Sequence, residues 1–366
     1  MHDNHKLHLE QTIHWLIRSK NKKGGSSAHF NPLTGWSNPY PETTGYIIPT
    51  LLDYSHRENY RSARETAFEF GEWLLSIQSD DGSWNGGLHP PDEQNPSVFN
   101  TGQILFGIIR LYKETGENRW RESAEKGAEW LAEHINDKGL WETGHYTGFN
   151  PTYYTRVAWP MLLVADTTNE VFVKEKAVQV LDRLIERKNK NDTFRGWGFE
   201  KDKPAFTHTI AYTLRGFLEA SFLLDDWDCY GTKIEPALEK VYKLAELNNG
   251  RLAGAYDQEW VPTDYYSCLT GNVQLAICLM RWYEHNGDIR LLNAASKLIE
   301  YVSSTQYENT PVKSLNGAVA GSKPIWGRYM MGRYPNWAAK FHADALMKFL
   351  NLTEEKEKEW STAELS

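Results

Sequence analysis

A chain of 366 residues with 48 Asp and Glu against 40 Lys and Arg carries a formal net charge of −8, which argues against nonspecific binding to nucleic acid. It has no apolar run of the ~18 residues that a membrane-spanning helix requires, and its three cysteines, Cys229, Cys268 and Cys278, are too scattered for a disulfide frame or a cysteine-based zinc site. Fifteen tryptophans fit either a heavily packed core or a carbohydrate-binding surface.

The chain opens on an amphipathic segment, HLEQTIHWLIRSK, which predicts a helix over about 5–20. YPETTGYIIPTLL (40–52) follows, almost free of charge behind a first turn that holds Glu42, Thr43 and Thr44. From there two kinds of helix alternate. TGQILFGIIRLY (101–112), RVAWPMLLVAD (156–166), HTIAYTLRGFLEASFLL (208–224), GNVQLAICLMRWY (271–283) and NWAAKFHADALMKFL (336–350) are nearly uncharged through their middles, as helices buried on most sides must be. RSARETAFEFGEWLLSIQ (61–78), RWRESAEKGAEWLAEHI (119–135), VKEKAVQVLDRLIERK (173–188), PALEKVYKLAEL (236–247) and DIRLLNAASKLIEYV (288–302) each pair a charged face with an apolar stripe. No strands are expected.

The alternation repeats. TTGYIIPTLLDY (43–54) lies 57 positions before NTGQILFGIIRL (100–111), and Trp73 and Trp84 stand 57 before Trp130 and Trp141. QILFGIIRLYKETG (103–116) lies 171 positions before QLAICLMRWYEHNG (274–287). The first amphipathic helix and the last buried helix (about 336–350) are each left without a partner, so they are expected to pack together and close one (α/α)6 toroid domain over 1–366. GEWLLSIQSDDGSW (71–84) resembles the QW repeat of terpenoid cyclases and prenyltransferases at Trp73, Gln78, Gly82 and Trp84; in the next unit Ile135 replaces the Gln. Six-hairpin toroids of this kind also occur among polysaccharide lyases, glycoside hydrolases and glucuronyl epimerases, so the resemblance implies an all-α fold and a carbohydrate or terpenoid substrate.

Inner-to-outer connections such as ETGEN and HNGD are short, whereas the returns run to about twenty residues or more. The long loops and the N-terminal ends of all inner helices therefore share one face. Read in order, those entrances supply Glu42, Asn100 and Gln103, Arg156, His208, Asp264, Asn272 and Lys340, with Tyr46, Tyr154, Tyr212 and Tyr266 close by. Converging helix dipoles favour an anion, and residues 310–340 carry Lys313, Lys323, Arg328, Arg333 and Lys340 with no acid. Trp36, Trp260 and Trp326 are expected sugar platforms, while Trp84 and Trp141 read as structural.

LLDDWDC (223–229) matches neither order of terpenoid-cyclase aspartates and falls at a turn on the other face. No metal-ligand set or phosphate-binding glycine loop is evident, so neither metal nor cofactor is expected. The favoured expectation is a cytoplasmic enzyme acting on an acidic poly- or oligosaccharide by proton abstraction beside a carboxylate, as a lyase or C5-epimerase does. His208, Tyr212 and Tyr46 are its base candidates, and Arg156 and Asn272 its carboxylate partners. A glycoside hydrolase would instead use Glu42 and Asp264. A terpenoid-cyclase-like or noncatalytic glycan-binding toroid is the third reading.

Overall fold

Charge-free segments go inside and amphipathic ones go outside because only the latter can leave one face in water. The computed structural model describes residues 2–145 and 148–363 and holds twelve α-helices among them. The inner set is α2 (Pro41–Glu58), α4 (Val98–Thr115), α6 (Thr155–Thr168), α8 (Thr207–Leu223), α10 (Leu269–Asn286) and α12 (Asn336–Ala363). The outer set is α1 (His2–Arg18), α3 (Arg61–Ser76), α5 (Asn118–Glu133), α7 (Val171–Ile185), α9 (Trp227–Leu247) and α11 (Ile289–Ser303). Each inner helix packs on the next, α12 returns to α2, and α1 lies against α12.

The inner ring is tight. A Cβ on Gly107 would stand 2.3 Å from the Gly45 carbonyl oxygen, so only glycine lets α2 and α4 approach so closely. At the seam, Gln306 Oε1 accepts from His8 Nδ1 at 2.6 Å, and Gln306 Nε2 donates to Thr12 Oγ1 at 2.7 Å. His342 of α12 reaches Thr12 Oγ1 at 3.2 Å and Ser303 Oγ at 2.8 Å. Burial pushes this imidazole down to about 3, so it stays neutral at the seam.

The repeat tryptophans have equivalent roles. Trp84 Nε1 donates to Leu74 O and Trp141 Nε1 to Leu131 O, each at 2.9 Å, pinning a loop to the preceding outer helix. Gln78 donates to Gly82 O and to Ser123 O on α5, tying neighbouring units. The expectation of no strands is corrected: β1 (His29–Asn31) pairs with β2 (Gly35–Trp36) and β7 (Tyr334–Pro335). β3 (Ala205–Phe206) pairs with β4 (Ala255–Tyr256), and β5 (Ser267–Cys268) with β6 (Ser322–Lys323). These two- and three-residue pieces knit the long loops together and are too short to leave a periodic signature. Among the described residues no helix is long and apolar enough to cross a membrane.

Candidate functional site

On the long-loop face the inner-helix entrances surround a basin of about 580 Å3. Glu42 and Tyr46 reach it from α2, Asn100 from α4, and His208 and Tyr212 from α8. Glu42 does not cap its helix. Its neighbours Thr43 and Thr44 both donate to Tyr40 O, and they accept bonds from Asn336 Nδ2 and from the Ser26 backbone, which leaves Glu42 facing inward. Nor does Asn100 cap: Ser97 Oγ accepts from the Asn100 backbone, and the Asn100 side chain donates to Asn85 O at 3.0 Å.

The walls are aromatic. Phe99, Tyr153, Phe199, Tyr329 and Trp337 line the basin, and Tyr153 and Phe99 meet edge-on with ring centroids 5.5 Å apart. Tyr329 stands 4.6 Å from the His208 ring and accepts a 2.8 Å hydrogen bond from Trp337 Nε1. At the mouth stand His29, His145 and Arg333. Burial and the nearby Arg333 charge hold His29 below its ordinary range.

Glu42 is 7% exposed and is the one Asp or Glu lining this basin among the described residues. Burial pushes its carboxyl up to about 7, against the opposing pull of a hydrogen bond with Tyr40 and the charge of Arg156. Burial also drives His208 down to about 3, so its imidazole is neutral. Its Nδ1 lies 3.9 Å from Cys268 Sγ. The Tyr46 and Tyr212 phenols are raised well above their usual range, chiefly by burial, and share a hydrogen bond. Of Glu42, Tyr46, His208 and Tyr212, the group poised between its two protonation states at neutral pH is therefore Glu42.

The remaining expected site residues lie elsewhere, for identifiable reasons. Asp264 is turned to Arg328, whose Nε stands 3.1 Å from Oδ1, and it does not line the basin. Gln103 accepts from Arg156 Nε at 3.3 Å and donates to Arg156 O at 2.8 Å. Arg156 and Lys340 line a second basin at the other end of the ring. Tyr154 is buried behind the wall against Trp141, and Tyr266 in a small cluster with Cys268 and Tyr329. Asn272 is spent on Gly250 O at 2.7 Å. Trp36 packs on Trp15 and Phe30, and Trp260 donates to Asn191 O with its ring edge-on to Trp197. Trp326 is exposed but does not line the basin.

Known structures agree with this ring. Over 97% of its length the chain is similar to an unsaturated glucuronyl hydrolase specific for heparin, at 15% identity and a TM-score of 0.76, covering 99% of that chain. Over 96% it is similar to the cellobiose 2-epimerase of Bacillus thermoamylovorans, at 12% identity and a TM-score of 0.77, covering 98% of that chain. The chain has the (α/α)6 toroid fold. By sequence, the toroid is 28% identical over 96 residues to the squalene–hopene cyclase of Zymomonas mobilis; the match covers 23% of this chain and only 13% of the cyclase. No protein-family model matches.

Several basin residues were not among the expected site residues. His29 of β1 and Arg333, which directly precedes β7, are distant in sequence and come together because β1 pairs with β7, His29 opposite Pro335. Tyr40 was visible in the stretch that holds Glu42, and Arg333 in the acid-free segment before α12. The signal for the aromatic wall is weaker: Phe99 and Tyr153 immediately precede polar helix entrances. Among the described residues no cluster of three or more His, Cys, Asp or Glu could hold a metal ion.

Proposed function

We propose that the toroid is an enzyme acting on an acidic oligosaccharide, removing the proton from the carbon beside a uronate carboxylate with Glu42 as the acid–base group. The observation that carries this reading is the single carboxyl that lines the basin among the described residues, held at about 7 in an aromatic-walled cavity. A carboxylate near neutrality combines a useful ionised fraction with real basicity, which neutral His208, at about 3, lacks. The reading thus moves the base from His208 to Glu42.

The other groups divide the remaining work. Tyr46 and Tyr212, bonded to one another and kept protonated, are suited to donate a hydrogen bond or a proton to the developing enolate. Arg333 and the inner-helix N-termini favour an anionic sugar, and the aromatic walls offer faces to sugar rings. The similarity to a glucuronyl hydrolase and a cellobiose 2-epimerase supports a saccharide substrate. A two-carboxylate hydrolase has less support because Asp264, the expected second acid, is engaged by Arg328 away from the basin.

Uronate-containing oligosaccharides incubated in deuterated water test the proposal. The expected outcome is either deuterium at the carbon beside the carboxylate in an uncut chain or an unsaturated product absorbing in the ultraviolet. Either activity should fall by roughly 10²- to 10⁴-fold in Glu42→Gln. Reducing ends released with neither deuterium nor ultraviolet absorbance would replace this reading with hydrolysis.

A further inference from the structure

The second basin, of about 870 Å3, opens at the C-terminal ends of the inner helices. Tyr46 and Phe341, with ring centroids 5.5 Å apart, and Tyr212, 6.1 Å from Phe341, form the partition between the two basins. Seven Lys and Arg against four Asp and Glu line it, the reverse of the balance in a chain of net charge −8. Most of these cations already have carboxylate partners: Arg57 has Glu354, Arg110 has Asp53, Arg215 has Glu219, Lys340 has Asp344, and Lys348 has Glu284.

Arg156 is different. It is 3% exposed, and among the described residues its only side-chain acceptor is Gln103 Oε1, 3.3 Å from Nε, with no carboxylate at ion-pair distance. Its charge rests on ring faces, Phe106 and Trp159 at 4.8 Å and Tyr212 at 5.0 Å. Ring faces take up charge but do not satisfy the directed N–H fork of a guanidinium. Arg215 lies over the same Trp159 ring at 5.2 Å, so two guanidiniums flank one indole, and Lys340 stands over Phe341 at 4.4 Å.

We infer that this second basin is a binding site for a small oxyanion, a carboxylate or phosphate group, with Arg156 gripping it through its free N–H fork and Arg215 and Lys340 at its sides. The apolar remainder of the ligand packs on Phe106, Trp159 and Phe341. A planar guanidinium matches both oxyanions in two-pronged geometry. The negative ends of the inner-helix dipoles oppose an anion here, so the site depends on these side-chain charges. It is distinct from the proposed catalytic basin, from which Tyr46 and Tyr212 divide it, although the Arg156 charge also acts on Glu42 across that partition.

Isothermal titration of the full chain at low salt, with inorganic phosphate and separately with malonate, tests the inference. One-to-one binding of either anion is expected; the anion bound identifies the ligand class. Arg156→Gln should weaken it by about 10-fold or more, as loss of a charge-assisted partner does, and Glu42→Gln, which removes a nearby negative charge, should not weaken it. If Arg156→Gln does not fold, Lys340→Met provides the same comparison, with weakened binding expected. Absence of saturable heat with both anions, or parent-like affinity in the folded variants, would overturn the site. Binding lost in Glu42→Gln and kept in Arg156→Gln would place the anion in the first basin and overturn it equally.

Discussion

Replacing Glu42 with Gln should make the protein more stable at alkaline pH, a gain that the loss of a carboxylate partner would not give. The carboxyl sits at about 7 in the fold against 4.5 when free. A raised carboxyl pKa means the native state holds its proton more tightly than the unfolded chain, so stability is undiminished at acid pH and falls as pH rises from 4.5 through 7. The displacement corresponds to about 3 kcal/mol when complete, of which about 2 to 3 kcal/mol develops between pH 5 and 8.5. Gln keeps the shape and cannot ionise, so the unfolding free energy of the variant minus that of the parent should grow by that amount across this interval. Urea unfolding of both proteins at the two pH values measures it. A difference independent of pH, or one favouring the parent more at pH 8.5, would refute the claim that desolvation governs this carboxyl.

Further outcomes follow from the same structure. His208 and His342, both pushed down to about 3 from 6.5 by burial, contribute stability that is present above 6.5 and lost as pH falls towards 3. Each should cost about 2 kcal/mol between pH 7 and 5, and urea unfolding of His342→Gln should show the acid slope reduced. Trp84→Phe removes the buried bond to Leu74 O and leaves a void, so it should destabilise by roughly 2–4 kcal/mol in chemical denaturation. Deleting residues 1–22 should expose the side of α12 that α1 covers and bring down both melting temperature and solubility; unchanged melting would contradict a ring closed by α1.

The ring was legible because its two helix classes differ in charge all along the chain and recur at a fixed spacing. The convergence of Glu42, Tyr46, Asn100, His208 and Tyr212 was legible for the same reason, since all five occupy the entrances of parallel inner helices. What could not be read was the direction each side chain takes from an entrance. Arg156 and Lys340 begin at the same level as Tyr212 yet line the opposite basin, because Phe106, Trp159 and Phe341 offer their rings on that side. Asp264 lies in a loop whose course is set by strands of two residues, and its partner Arg328 is 64 positions away. The Trp36 and Trp260 rings were expected as sugar platforms but pack on aromatic neighbours distant in sequence, Trp15 of α1 and Trp197 of the loop before α8.

The most direct test of the central claim is a carbon-13 titration of glutamate side-chain carboxyls, with Glu42→Gln identifying the Glu42 resonance. The account predicts that this resonance alone disappears in the variant and that in the parent it titrates with a midpoint near 7. A midpoint in the ordinary range near 4.5 would leave the basin without a group poised at neutral pH and contradict the proposed chemistry.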